Sequence, residues 1–179
     1  MNIKQMTKGI ELVLRGMGVS LKDPNFAETP ERVAKMYAEM LTPEVAHWNV
    51  FPAKQSDLVL LRGHKVVGLC PHHLQPVEYR CYVGYLPNKL TVGLSKLARV
   101  IESMLDKPIM QEDLANDIAD TLQQKLEPKG VGVILAGIHG CMRNRGVKSE
   151  GDVVVSVMRG TLLLNPAARA ELQQLIGRP

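Results

Sequence analysis

Eight consecutive residues, LCPHHLQP at 69–76, hold one of the chain's three cysteines and two of its five histidines, flanked by two prolines. Thiolate and imidazole are preferred ligands for zinc. The Cys70-x-x-His73 spacing lets one tight turn aim both side chains at a single ion, and Pro71 stiffens that turn while biasing Cys70 towards an extended backbone. A catalytic zinc keeps three protein ligands and one open position, so a third ligand must come from elsewhere. IHGCMRNRG at 138–146 offers it: Cys141 lies at the end of an expected strand with His139 beside it. The ligand set is then Cys70, His73 and Cys141. His72 and His139 are spare, and imidazoles that titrate near neutral pH suit acid–base work. Either motif alone is more often a buried cysteine and a satisfied histidine. Two such motifs, each at a strand end, favour a metal centre. Cys81 falls in the apolar row of a strand and belongs to the core.

Two further groups of residues suit an anionic ligand. In GLSKLAR at 93–99, Ser95 can cap a helix, and Lys96 and Arg99 project three residues apart near its start. A helix N-terminus attracts anions through free N–H groups and its dipole, and added cations make a phosphate site. The plainer alternative is the solvated side of an amphipathic helix. In MQEDLAND, Glu112 either compensates a helix dipole or accepts two N–H groups from a guanine edge. Arg145, just after the cysteine loop, can grip a phosphate.

These residues need elements to position them. Residues 3–18 carry Ile3, Met6, Ile10, Val13, Leu14 and Met17 at helical spacing. A second helix follows, with Thr29 as N-cap, Pro30 in the first turn, and Val33, Met36, Tyr37 and Met40 as its buried stripe. Residues 44–63 read as a connection with a short strand near LVLLR. KVVGLC reads as a strand. VEYRCYVGYL alternates, with Val77, Tyr79, Cys81, Val83 and Tyr85 on one side. KLTVG is expected to return beside it as a hairpin. Helices follow at 95–106, through Leu94, Leu97, Ala98, Ile101, Met104 and Leu105, and at 111–126, through Leu114, Ala115, Ile118, Ala119, Leu122 and Leu126. GVGVILAGI is apolar on both faces and so central. DVVVSVMRGTLLL is its partner, and a short helix closes the chain. The class is α+β: helices on one face of a mainly antiparallel sheet. An N-terminal helical segment, 1–43, precedes a catalytic domain, 44–179.

Bulk properties exclude several function classes. The chain has 179 residues, 45% hydrophobic and 22% charged, enough to bury a core without staples. Its net charge of +4 comes without the clustered basic runs of a nucleic-acid binder. An odd cysteine count argues against a disulfide framework. No secretory signal and no membrane span is visible, and a cytoplasmic protein with reduced thiols is expected.

Taken together, ETPERVAKMY, CPHHLQP, GLSKLARVIE, MQEDL and HGCMRNRGVK resemble, in order and near spacing, the GTP cyclohydrolase I family. The similarity runs from about Thr29 to the C-terminal helix. It implies the tunnelling fold (T-fold), a zinc cofactor and toroidal homodecamers with active sites at subunit interfaces. The implied reaction takes GTP and water to 7,8-dihydroneopterin triphosphate and formate, a start for folate, reduced pterins and 7-deazaguanine nucleosides. By the resemblance, Cys70, His73 and Cys141 are the zinc ligands and His72 and His139 the acid–base pair. Glu112 with Gln111 forms the guanine anchor, and Ser95, Lys96, Arg99 and Arg145 contact ribose and triphosphate.

The sequence departs from the family in the stretch around the two histidines. Pro71 stands where CEHH is usual, and LQPV replaces LLPF. A same-scaffold hydrolase that opens the purine ring and stops, or that takes another purine nucleotide, is the nearer rival. A non-catalytic zinc-binding ring protein is the further one; it would not need the spare histidines or Glu112, and a structural zinc would want a fourth ligand, for which His64 is the nearest candidate.

Overall fold

The computed structural model describes residues 1–44, 47–54 and 57–177. Residues 45, 46, 55 and 56, which belong to the connection expected over 44–63, lie outside the described residues. The chain divides into two compact units, Met1–Pro43 and Glu44–Pro179.

The first unit is a helix pair. α1 spans Ile3–Gly16, and the Asn2 side chain caps it by accepting from the Gln5 N–H at 3.0 Å. Its apolar stripe is shallower than the spacing suggests: Val13 and Met17 are exposed. α2 spans Thr29–Met40 with Pro30 in its first turn. Its cap is Glu28 rather than Thr29, whose hydroxyl instead donates to the Asn25 carbonyl at 3.4 Å. Ala34 and Pro30 are its buried residues, while Met36 is exposed.

The second unit is built on a four-stranded antiparallel sheet ordered β2-β3-β5-β6. Before it comes β1 (Val50–Pro52). β2 runs Val59–Leu69 as one strand, where the sequence reads as two. The break in pattern is a bulge: pairing shifts between Arg62 and His64, and Gly63 adopts φ 72°. One extra residue in the left-handed region reverses the alternation beyond it. β3 (Pro76–Leu86) buries Val77, Tyr79, Cys81, Val83 and Tyr85 on one face, as its alternation predicts. β4 (Leu90–Val92) is not its hairpin return. β4 pairs with β1 in a separate two-stranded sheet, because both edges of β3 are taken, one by β2 and one by β5.

α3 (Leu94–Ser103) and α4 (Gln111–Leu126) cover the buried face of the sheet. α4 packs Leu114, Ala115, Ile118, Ala119, Leu122 and Leu126 fully inside, the arc expected of a core-facing helix. It ends where Glu127 turns left-handed before Pro128. In α3, Leu97, Val100 and Ile101 are buried, but Leu94 is exposed. β5 (Gly130–His139) is central, between β3 and β6 (Val153–Gly160), joined to the latter through α5 (Gly140–Arg143). The chain closes with α6 (Thr161–Leu164) and α7 (Pro166–Gly177). A second small core of Met158, Leu162 and Leu172 lies at one end of the other sheet face, against Leu60 and Ile134. Helices thus line mainly one face, with this C-terminal addition. No described helix is long and apolar enough to cross a membrane, and all three cysteines are free.

Candidate active site and metal centre

The site forms where three chain segments end together. β2 and β3 pair to Leu69 and Pro76, so residues 70–75 close the hairpin. The Cys70 N–H donates to the Gln75 carbonyl at 2.9 Å, and the Leu74 N–H to the Cys70 carbonyl at 2.9 Å. Leu74 takes φ 52° to leave the turn. On the neighbouring strand, His139 pairs with Val77 at the end of β5, and Cys141 follows in the first turn of α5. The Ile109 N–H donates to the Leu69 carbonyl at 3.1 Å, which draws the start of α4 to the same corner.

The ligand atoms of Cys70, His73 and Cys141 lie within 4.8 Å of one another. Two ligands on a tetrahedral zinc stand about 3.3–3.8 Å apart, so small side-chain adjustments close this group on an ion. The donor chemistry also fits. The Cys141 thiol is held above its ordinary range by burial and by Cys70 facing it, with Arg145 pulling the other way. A second thiol facing Cys141 opposes its ionisation, and a cation between the two sulfurs would reverse that balance. His64 is no fourth ligand: it lies opposite Cys81 in mid-sheet and its Nε2 is 3.2 Å from Glu102 Oε1.

Around this group is a pocket of about 260 Å³, lined by His72, His139, Gln111 and Glu112 together with Cys70, His73 and Cys141. The volume is just below the range of about 300–1,000 Å³ that buries a drug-sized ligand; it suits a planar base rather than a whole nucleoside triphosphate. His72 is exposed, with Nδ1 4.0 Å from Cys70 Sγ. His139 is half-buried. Desolvation lowers its pKa, and the charge of Glu112 opposes the shift. Its ring meets Tyr79 edge-on, centroids 6.3 Å apart. Glu112 is exposed on the rim. Arg145, also exposed, donates from Nη1 to His73 Nε2 at 2.9 Å.

Gln111 is placed otherwise than its pairing with Glu112 suggests. Only 2% exposed, it donates from Nε2 to the carbonyls of Leu135 and Val153, both at 2.8 Å, while Oε1 lies 2.7 Å from His139 Nε2. The signal is in the sequence: Gln111 falls on the helical stripe of Leu114, Ala115 and Ile118, so a polar residue there faces inward.

Ser95, Lys96 and Arg99 do not line this pocket. Gly93 is the N-cap of α3, and the Ser95 side chain makes no capping bond. α3 follows β4, where Thr91 Oγ1 lies 2.8 Å from the Tyr85 hydroxyl. Tyr85 is near one end of β3 and Val77, the neighbour of His139, near the other. At about 3.3 Å per residue these ends are roughly 25 Å apart.

A sequence profile of the GTP cyclohydrolase I family matches residues 6–177. The chain belongs to the GTP cyclohydrolase I family. Among its curated relatives, GTP cyclohydrolase 1 of Hydrogenobaculum sp. is 38% identical over 176 residues, covering 97% of each chain. GTP cyclohydrolase 1 of Aquifex aeolicus is 36% identical over 97% of this chain and 96% of its own. The chain is thus a hydrolase of the GTP cyclohydrolase I family. The solved apo structure of the archaeosine synthase QueF-Like matches with a TM-score of 0.50 at 20% identity, over 60% of this chain and 97% of that one. That likeness is one of fold, and it fits the T-fold expected of the GTP cyclohydrolase I family.

Proposed function

We propose that this protein converts GTP and water to 7,8-dihydroneopterin triphosphate and formate, with zinc held by Cys70, His73 and Cys141. The observation that carries the reading is the convergence of this Cys-His-Cys group with His72, His139 and Glu112 around one pocket, in a chain of this family. Zinc, when bound, supplies Lewis-acid polarisation and brings the ionisation of water towards about pH 7.

The side chains divide the remaining work. Glu112 accepts N–H groups from the guanine edge and fixes the base in the pocket. His139 and His72 hold protons for the imidazole-ring nitrogen that leaves as the ring opens. Ser95 and the histidines serve the later proton transfers, in which the ribose opens, rearranges to a ketone and recloses on the exposed amine. Lys96, Arg99 and Arg145 hold the triphosphate, giving orientation from binding remote from the reacting carbon. Because α3 begins away from the metal group, Ser95, Lys96 and Arg99 act in the site of a neighbouring copy within a homodecameric ring.

Product mass spectrometry after incubation of the zinc-loaded protein with GTP tests this reading. Dihydroneopterin triphosphate and formate, absent with Cys141→Ala, are expected. A ring-opened formamidopyrimidine without the pterin would show that closure fails and would point to Pro71. Unchanged GTP would overturn the proposal.

A further inference from the structure

The hydrogen bonds behind His139 admit one solution. The Gln111 amide faces two backbone carbonyls, Leu135 and Val153, at 2.8 Å each. Carbonyls only accept, so the group facing them is the NH2 and both of its hydrogens are used. Oε1 is therefore the atom facing His139. An amide oxygen only accepts, so His139 Nε2, 2.7 Å away, carries the proton. The ring's lone pair in the neutral state is then on Nδ1. The Nε2–H bond to Oε1 is the same whether or not Nδ1 is protonated, so proton exchange at this ring is confined to Nδ1.

The surroundings are shaped for this contact. A Cβ on Gly137 would stand 2.6 Å from Gln111 Oε1 and 3.0 Å from the Tyr79 ring, so only glycine admits the amide at this place on β5. Tyr79 in turn packs edge-on against His139. Gln111 is buried, with both side-chain donors committed to β5 and β6, which leaves its side chain no N–H to offer a base.

We infer that Gln111 is a positioning residue rather than part of the guanine anchor: it fixes His139 as the Nε2–H tautomer and presents Nδ1 as the ring's proton-transfer atom. The inference rests on the acid–base role proposed for His139.

Three measurements on the zinc-loaded full chain test it. Gln111→Met keeps the length of the side chain and removes the amide. Its kcat for GTP is expected to fall about 10–100-fold, the usual effect of losing an orienting partner. KM is expected to hold, as is the preference for GTP over inosine triphosphate, which lacks the 2-amino group. Gly137→Ala, which presses on Oε1 without touching the pocket, should shift kcat in the same direction. In 15N-histidine spectra of sedimented protein, assigned by His139→Asn, the wild-type resonance should report Nε2–H. That fixed tautomer should be lost in Gln111→Met. A raised KM and a relaxed purine preference at unchanged kcat would overturn the inference, as would an Nδ1–H signature in the wild type. If Gln111→Met does not fold, Gly137→Ala and the wild-type spectrum still decide. If the wild type leaves GTP unchanged, the proposed function fails while the spectra still read the tautomer.

Discussion

At the scale of single residues, the three cysteines have separate fates that their surroundings explain. Cys70 and Cys141 face each other beside His73, and Cys141→Ala removes one of the three proposed ligands. Bound zinc should fall from one per chain to near none after dialysis, by metal analysis, with far-ultraviolet circular dichroism unchanged. Retained stoichiometric zinc would mean the ligand set is wrong. Cys81 has no solvent exposure, and burial pushes its thiol up to about 12 from 9.0. The thiolate is the reactive form, so iodoacetamide at neutral pH should spare Cys81 in the folded protein and label it after unfolding, as peptide mass spectrometry can read. The raised value also has a sign for stability. The folded thiol keeps its proton where the unfolded one loses it, so this contribution is intact below about pH 9 and is lost as pH rises towards 12. The meeting of Cys70, His73 and Cys141 was legible in the sequence because Cys70-x-x-His73 and His139-x-Cys141 each sit at a strand end, and strand ends of one sheet meet. Gln111 was less legible because its neighbour Glu112 suggested a shared role, although helical periodicity turns the two side chains to different faces.

Elements carry these residues to one corner, and α4 carries the most. Its first turn holds Gln111 and Glu112, and its packed stripe fixes where that turn lies. Arg159 on β6 clasps its exposed side, donating to Asp120 Oδ1 at 3.0 Å and Asn116 Oδ1 at 2.8 Å. Ile118 has no solvent exposure, so Ile118→Ala should cost about 2–5 kcal/mol, seen as a lower urea midpoint with little change in m-value. A loss under 1 kcal/mol would mean α4 is not seated as described. Long periodic segments such as α4 and β3 were readable because burial imposes one period over many residues. Short-range features were not. The Gly63 bulge made one strand read as two, since a single inserted residue breaks the alternation that marks a strand. Adjacency in sequence suggests β3 as the partner of β4, but it does not reveal that β3 already has two neighbours. Thr29 and Ser95 resemble caps by type, but the caps are Glu28 and Gly93, where backbone geometry and not side-chain chemistry sets the boundary.

At the scale of the whole molecule, the sheet-bearing unit presents two open edges, and the residues of the proposed site fall in two places. β2 pairs only with β3, and β6 only with β5, among the described strands. Open edges of this length invite pairing with another chain. The metal group and Glu112 lie at one corner, while Ser95, Lys96 and Arg99 belong to α3, which starts near the opposite end of β3. In the proposed ring, repetition of one head-to-tail contact brings the α3 residues of one copy to the metal corner of the next. This arrangement makes a prediction that a self-contained site does not. Cys141→Ala and Lys96→Ala should each be inactive as pure rings, the first without its proposed metal ligand and the second without part of the proposed triphosphate grip. When the two are mixed, dissociated and reassembled in equal amounts, each site draws its two halves at random from the two variants. About one site in four then receives both intact halves, and activity should return to about a quarter of the wild-type level. Recovery should need reassembly and be absent when the preformed rings are simply combined. If reassembled mixed rings, verified by differential mass tagging, stay inactive, then one chain supplies both halves, and α3 would have to move far from the position it holds beside β2.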